Sequence, residues 1–206
     1  MGLRHPEGAT PLDADAARGL IPSLSTQGEL NEFEARNIAE ALRWAKGSRI
    51  LRSHLLTTRG LRQLHLRMFD RTWEWAGRFR NTDTNIGYPW PQVPEAVKNL
   101  CDDVAYQVAE GEADWDNVAI RLHHRLVSIH PFPNGNGRHA RIATDLFLRT
   151  HDQEPFTWGS EPPTRSEADR QEYLAALREA DGGAFGRLRA FVRGDRYPGE
   201  SHADAP

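Results

Sequence analysis

The sequence predicts an all-α protein, a bundle of helices around one hydrophobic core. Apolar residues recur at spacings of three and four along most of the 206 residues, a pattern typical of helices with one buried face. One stretch, residues 79–93, lacks this spacing and is rich in glycine, proline and aromatic residues. A chain of this length can bury the core of one domain, and a small second domain is possible but not required.

Seven helical patterns follow one another along the chain. Thr57 or Thr58 is placed to cap the second helix, and Pro94 suits the first turn of the third. The fourth ends before a loop that starts at residue 130, and the fifth starts near Asn136. In order, the apolar positions are Leu30, Phe33, Ile38, Ala41, Leu42 and Ala45; Leu61, Leu64, Met68 and Phe69; Val97, Leu100, Val104 and Val108; Trp115, Val118, Leu122, Leu126 and Ile129; Ile142, Leu146 and Phe147; Leu174 and Leu177, in a helix that Ser166 opens; and Phe185, Leu188, Phe191 and Val192.

The composition of residues 79–93 suits either a short β-hairpin or an extended loop. The aromatic residues just before it, Trp73, Trp75 and Phe79, are predicted to fill the core. After Gly194 the chain is rich in proline, serine, glycine and alanine, so residues 195–206 are predicted to form a disordered tail.

The net charge and the cysteine content limit the classes of protein to which the chain could belong. The net charge of -3 gives no reason to expect binding to nucleic acid or to an anionic membrane. The single cysteine, Cys101, excludes an internal disulfide and fits a reducing cytoplasm. The sequence shows no apolar run of about 18 residues and no signal peptide, so we expect a cytoplasmic protein.

Residues 130–141 read His-Pro-Phe-Pro-Asn-Gly-Asn-Gly-Arg-His-Ala-Arg and carry most of the functional information. Gly135 and Gly137 allow the backbone to approach a ligand closely. A helix that starts beside them directs unpaired N–H groups and the positive end of its dipole outward, which favours an anion. Arg138 and Arg141 lie one turn apart and can reach one polyphosphate, and His130 can accept a proton near neutral pH. These residues predict a nucleotide site, of neither the P-loop nor the Rossmann type.

The segment resembles the signature of the Fic (filamentation induced by cAMP) domain family, His-x-Phe-x-Asp/Glu-Gly-Asn-Gly-Arg-x-x-Arg. The match covers His130, Phe132, Gly135, Asn136, Gly137, Arg138 and Arg141. Residues 75–80 and 173–192 are also similar to the family, and the subgroup that the chain resembles most is mobile mystery protein B, found in bacterial genomes. The resemblance implies a Fic-fold helical bundle with a short β-hairpin flap, and a domain core at residues 55–194.

The resemblance also implies a reaction, the transfer of AMP from ATP to a Tyr, Thr or Ser hydroxyl of a target protein. His130 would be the general base, and backbone amides of residues 135–137 would form the anion hole. Asn136 would help to hold the α-phosphate, Arg138 would meet the β- and γ-phosphates, and Arg141 the γ-phosphate.

Asn134 departs from the signature, because most active members have an acid there that binds Mg²⁺. An amide oxygen is a poorer ligand than a carboxylate, so we expect weaker Mg²⁺ binding rather than none. Doc toxins carry a similar loop with asparagine at this position and transfer the γ-phosphate, but they lack the second glycine, which is present here as Gly137. Adenylyl transfer is therefore favoured over a Doc-like kinase or transfer of another nucleotide.

Two further segments have counterparts in the family. Ile86, Gly87, Tyr88 and Trp90 lie where family members have a flap that aligns the target by adding a strand to it; the alternative is a surface loop that packs on the core.

Ser25 and Glu29 match the spacing of the family's inhibitory helix, whose glutamate pairs with the second motif arginine, here Arg141. That assignment makes residues 1–54 an N-terminal segment with an inhibitory helix at about residues 25–46. The alternative is a capping box of Thr26 and Glu29.

Other interpretations are weaker. His123, His124, His130 and His139 lie close in sequence, but they lack the spacing of a zinc site, and no serine-hydrolase elbow is present. From a different class, the chain could be a non-catalytic Fic-fold module of a toxin–antitoxin pair. The predicted partners are a target protein and ATP, with an antitoxin or a second copy of the chain as possible others.

Overall fold

The computed structural model describes residues 19–24, 26–111, 114–159 and 167–195. In these ranges the chain forms eight α-helices and one 3-10 turn, with no β-strand, so the all-α prediction is confirmed. The helices are α1 (Gln27–Gly47), α2 (Arg49–His54), α3 (Thr58–Phe69), α4 (Val93–Ala109), α5 (Trp115–Ile129), α6 (Asn136–Thr150), α7 (Glu167–Asp181) and α8 (Gly186–Arg193), and the 3-10 turn is Trp90–Gln92.

Helix α1 begins with a complete capping box. The Thr26 hydroxyl accepts the Glu29 N–H, and the Glu29 carboxylate accepts the Thr26 N–H at 2.9 Å. The buried face of the helix, which packs along α3, differs from the predicted apolar stripe. Two of its positions are polar, because their side chains hydrogen-bond to α3 or to the turns that follow it. The buried residues are Leu30, Glu34, Asn37, Ala41 and Ala45.

Helices α3, α5 and α6 form the centre of the bundle, and α4 packs on the outside of α5. The sequence signals at the helix starts are confirmed, since the Thr57 hydroxyl caps α3 and Pro94 lies in the first turn of α4. The largest side chains of the core are fully buried, as expected for the main stabilising contribution of a domain of this size. They include Leu61, Leu64, Phe69, Trp73, Leu122, Leu126, Phe132 and Phe147.

The predicted β-hairpin at residues 79–93 does not form, and the described backbone there is irregular up to the 3-10 turn. A hairpin needs cross-strand backbone hydrogen bonds. In this segment the Thr82 and Tyr88 carbonyls accept instead from the buried Arg80 guanidinium, and Asp83 accepts the Trp90 N–H at 2.8 Å. The loop alternative is therefore the correct one.

Helices α7 and α8 pack on each other and complete the domain beside α5. Arg189 and Arg193 of α8 form ion pairs with Asp114 and Asp116 at the start of α5. Ser166 and residues 196–206 of the predicted tail lie outside the described residues. No helix in the described ranges is long and apolar enough to cross a membrane.

Candidate active site

Two helix ends meet at the loop of residues 130–135. Helix α5 ends at Ile129, and the next residue, His130, has a left-handed backbone with φ of 54°. The loop turns back through Gly135, also left-handed at 77°, into the first residue of α6, Asn136. Non-glycine residues seldom adopt a positive φ and are held there by their surroundings. This reversal of the chain places His130 at one end of the loop and the start of α6 at the other end.

The start of α6 suits an anion. No side chain caps this helix, so its first N–H groups lack intrahelical acceptors and lie at the positive end of the dipole. A Cβ added at Gly137 would meet no heavy atom within 4 Å, whereas one at Gly135 would lie 2.6 Å from the Phe69 ring. Gly135 is thus needed by the fold itself, and Gly137 leaves open space for a ligand.

The side chain of Asn136 holds the loop together. Its Oδ1 accepts the Phe132 N–H at 2.9 Å, and its Nδ2 donates to the Phe132 carbonyl at 2.8 Å. Both polar ends of this buried amide are therefore occupied by the backbone. The sequence suggested that Asn136 helps to hold a phosphate; in the folded chain its backbone N–H, at the start of α6, is the group suited to that role.

The residue at the predicted metal position, Asn134, is tied to the loop and to α3. Its Oδ1 accepts the Gly135 N–H at 2.5 Å. Its backbone carbonyl lies 3.1 Å from His65 Nε2, and His65 Nδ1 accepts the Gly77 N–H at 3.0 Å. The second bond assigns the ring proton to Nε2, so His65 connects the motif loop with the turn at Gly77. Burial holds the pKa of His65 well below its usual range and keeps this ring neutral.

His130 is 5 % exposed and is held as a neutral base. Burial, together with the smaller effect of the nearby Arg80 charge, lowers the pKa of its imidazole from 6.5 to about 4. A hydrogen bond to the Val127 carbonyl acts in the opposite direction. A neutral imidazole carries a proton on one ring nitrogen and a lone pair on the other, and that lone pair can accept a proton at neutral pH.

Arg138 forms an ion pair with a glutamate of α1, but not with Glu29. Its Nη1 lies 2.6 Å from Glu34 Oε2, and the other oxygen of Glu34 accepts the Trp73 indole N–H at 2.8 Å. Glu29 lies more than one turn earlier, where it is exposed and completes the capping box of α1. The predicted pair of Glu29 with Arg141 is therefore corrected: the acid of α1 that meets a motif arginine is Glu34, on the buried face of the helix, and the arginine is Arg138. Ser25, the other residue of the predicted inhibitory motif, lies outside the described residues.

Arg141 lies against aromatic rings. Its guanidinium carbon is 4.5 Å from the centre of the Tyr173 ring and 5.5 Å from that of Trp158. The Trp158 indole N–H donates to both oxygens of Asp145 at 3.0 Å. Burial raises the pKa of Asp145 to about 6, although its hydrogen bond with Trp158 acts in the opposite direction. These contacts hold Arg141 at the side of α6 rather than against an acid of α1.

The predicted flap residues lie on the surface beside His130. Ile86, Tyr88 and Trp90 are 45, 44 and 43 % exposed, so three large side chains face solvent next to the base. Gly87 packs directly over the base, because a Cβ there would lie 2.7 Å from His130 Cβ. The Tyr88 N–H also donates to the Ile129 carbonyl at 3.3 Å. The expected proximity of this segment to the base is therefore present without a hairpin.

Comparison with known proteins agrees with this geometry. Residues 55–148 match the profile of the Fic/DOC family. The chain therefore contains a Fic/DOC domain at residues 55–148. It is similar to the protein adenylyltransferase fic-1 of Caenorhabditis briggsae, with 35 % identity over 121 residues, which are 57 % of this chain and 22 % of that protein. A shorter match of 37 residues, 54 % identical, covers 18 % of this chain and 7 % of the uridine 5'-monophosphate transferase of Xanthomonas campestris pv. campestris.

A variant of Fic-1 from Caenorhabditis elegans has a similar solved structure, with a TM-score of 0.66 and 25 % identity over 86 % of this chain and 51 % of that one. The chain spans about a fifth of the length of the first curated relatives that it matches.

Trp73, at 2 % exposure, is a core residue as predicted.

The other histidines of the Fic domain have structural contacts. His123 Nε2 lies 2.9 Å from Tyr173 Oη, and His139 Nε2 lies 2.9 Å from the Leu61 carbonyl. His124 pairs with Asp181 at 2.8 Å. Within the described ranges no group of three or more His, Cys, Asp or Glu side chains is arranged to hold a metal ion.

Three residues of the Fic site are absent from the sequence prediction. Glu34 could have been found, because a charged residue in the i, i+4, i+7 series Leu30, Glu34, Asn37 lies on a buried face and needs a partner. Arg80 and His65 give no comparable signal, since the contacts that join them to the motif are with backbone carbonyls 50 and 69 positions away in sequence.

Proposed function

We propose that this protein is an adenylyltransferase, which transfers AMP from ATP to a Tyr, Thr or Ser hydroxyl of a target protein. The observation that carries the proposal is that one loop joins His130, a neutral base with a left-handed backbone, to the start of α6, which no side chain caps. The name of the Caenorhabditis briggsae relative supports the same activity.

In this reaction neutral His130 accepts the proton of the attacking hydroxyl as its oxygen forms a bond to the α-phosphorus. The bond from that phosphorus to the bridging oxygen breaks, and pyrophosphate leaves with the electron pair. Charge on the α-phosphate oxygens lies at the start of α6, beside the backbone N–H groups of residues 136–138. The N–H of Gly135, part of the predicted anion hole at residues 135–137, is bound by Asn134 Oδ1 instead. Arg138 and Arg141 bind the β- and γ-phosphates.

The loop offers one protein oxygen to a magnesium ion, the Oδ1 of Asn134. This atom already accepts the Gly135 N–H, and an amide oxygen has no net charge, so we propose that most anionic ligands come from the nucleotide. When bound, Mg²⁺ offsets phosphate charge and stabilises the leaving pyrophosphate. The site therefore suits an ion that arrives with ATP better than a resident one.

We also propose that α1 inhibits the enzyme through Glu34. The Glu34 carboxylate occupies Arg138 Nη1 at 2.6 Å, on the side chain assigned to the β- and γ-phosphates. While the carboxylate is bound there, Nη1 cannot donate to a phosphate oxygen, and the negative charge of Glu34 offsets the charge that would attract the phosphates. Because Trp73 donates to the other oxygen of Glu34, the acid is held in place even when no nucleotide is bound at the start of α6.

A second candidate is transfer of another group from the nucleotide. The short match to a uridine 5'-monophosphate transferase favours UMP, and Asn134 favours transfer of the γ-phosphate as in Doc toxins. A non-catalytic Fic module, which could serve in a toxin–antitoxin pair, is the candidate from outside the enzymes.

The test incubates the protein with ATP labelled at the α- or the γ-phosphate and with UTP labelled at the α-phosphate, and follows labelled protein and released pyrophosphate. Retention of the α-label of ATP supports the proposal. Retention of the γ-label or of the UTP label replaces it with a kinase or a uridylyltransferase, and no retention with no pyrophosphate supports an inert module. His130→Ala should abolish the signal, while His54→Ala, a matched replacement of an exposed histidine on α2, should not.

A further inference from the structure

Arg80 is a buried arginine whose guanidinium is surrounded by backbone carbonyls. Its side chain is 1 % exposed. Nε donates to the His130 carbonyl at 2.7 Å and Nη2 to the Ile129 carbonyl at 3.4 Å. A buried charge is costly unless its hydrogen bonds are made, so these contacts are required by its position. They cap the carboxyl end of α5, where unpaired carbonyls and the negative end of the dipole attract a cation.

The same guanidinium also holds both ends of the segment 82–88. Nη1 donates to the Thr82 carbonyl at 3.0 Å, and Nη2 donates to the Tyr88 carbonyl. The outer side of the guanidinium faces Asp83, whose Oδ1 is 3.7 Å from Nη1. The side chain of Asp83 is 69 % exposed. One side chain therefore joins the end of the helix that precedes the base to both ends of the exposed segment beside it.

The segment held in this way rests on the base. Gly87 lies so close to His130 that an added Cβ would meet His130 Cβ at 2.7 Å and Arg80 Nη2 at 2.9 Å. A shift of this segment would therefore change both the position of the exposed side chains 86–90 and the burial of the imidazole. Lysine cannot make the same contacts, because one ammonium group lacks the planar fork that reaches carbonyls on two sides.

We infer that Arg80 is a positioning residue, which fixes the segment 82–88 and the His130 backbone in one arrangement so that an incoming hydroxyl meets the base. The inference rests on the proposed transfer at His130. Arg80 touches neither nucleotide nor hydroxyl; it acts through the carbonyls that it binds. Its charge has a second effect, since it disfavours protonation of His130.

The test compares Arg80→Lys, which keeps the charge, with Arg80→Gln, which removes it, and with Gly87→Ala, which pushes the segment away from the base. Hydrogen–deuterium exchange is measured for peptides that cover residues 82–90, and the His130 titration is followed by NMR, with its signal assigned from His130→Ala. We expect amide exchange in residues 82–90 to be at least roughly tenfold faster in all three variants, because charge-assisted hydrogen bonds or their geometry are lost. The pKa of His130 should rise in Arg80→Gln and stay low in Arg80→Lys.

A third readout separates positioning from general damage. The affinity for a non-hydrolysable ATP analogue should stay within about twofold of wild type in Arg80→Lys, while the rate of AMP transfer falls by about tenfold or more. Unchanged exchange in residues 82–90, or an unchanged His130 titration in a folded Arg80→Gln, would overturn the inference. If Arg80→Gln does not fold, the exchange data of the other two variants decide. Because exchange and titration need no turnover, they give a result even if wild type transfers nothing.

Discussion

The ion pair between α1 and the Fic motif gives the sharpest prediction. In Glu34→Gln the amide oxygen can still accept the Trp73 indole N–H, but the charge opposite Arg138 is lost. The side chain of Glu34 is 6 % exposed and that of Arg138 is 42 % exposed, so the pair lies between a surface bridge and a buried one. We therefore take its contribution as about 1–2 kcal/mol, which corresponds to about 5–30-fold tighter ATP binding once the carboxylate no longer competes.

The assay is calorimetric titration with a non-hydrolysable ATP analogue in the presence of Mg²⁺, together with pyrophosphate release from ATP. Glu29→Gln is the matched control, since it removes an acid of the same helix that belongs to the capping box. Because glutamine can still complete the capping box, only the interaction of the acid with the helix dipole is lost; stability should fall by about 0.3–1 kcal/mol and ATP affinity should not change. The reasoning is refuted if Glu34→Gln binds the analogue no more tightly than wild type, or if Glu29→Gln produces the same increase.

Three other measurements test the site and its surroundings. Gly137→Ala should leave the free energy of unfolding within about 1 kcal/mol of wild type and greatly weaken ATP binding, because its Cβ meets only the space assigned to phosphate; Gly135→Ala, whose Cβ would collide with Phe69, should lose stability instead. Asn134→Asp should lower the Mg²⁺ concentration that half-saturates transfer by roughly tenfold, because it adds a carboxylate ligand. The free energy of unfolding should fall as the pH is lowered from 7.5 to 5.5, since burial lowers the pKa of His123 to about 3 and that of His139 to about 4. Each histidine accounts for a loss of about 1.4 kcal/mol over this interval, because below about pH 6.5 the unfolded chain takes up a proton that the folded chain does not.

For each of these three predictions, one result would contradict it. Gly47→Ala, where an added Cβ also meets nothing within 4 Å, is the control for the glycine at the start of α6, and equal ATP affinity in both variants would remove the phosphate assignment. An unchanged Mg²⁺ dependence in the Asn134 variant would show that this position is not a ligand. A flat stability profile in urea denaturation down to pH 5.5 would mean that the buried histidines take up protons in the folded state at the same pH as in the unfolded chain.

Much of the fold follows from local sequence rules. The spacing of apolar residues, the threonine at the start of α3 and the proline in α4 act within one helix turn, so the sequence is sufficient to identify these elements. The hairpin prediction was wrong for a reason that no local rule contains. The carbonyls that a second strand would have paired are bound by Arg80, which is itself buried under the loop.

For the site, the sequence by itself determined the type of ligand. His130, the glycines and the arginines lie within twelve residues, so their chemistry is set by neighbours along the chain, and the phosphate preference of a glycine-rich helix start needs no distant contact. Tertiary structure alone decided which groups those residues meet. Glu34 reaches Arg138 across 104 positions of sequence, and Arg80 reaches His130 across 50. Such pairs depend on how α1 packs along α3 and how the loop folds back on α5, because packing brings together side chains whose separation in sequence carries no information about distance.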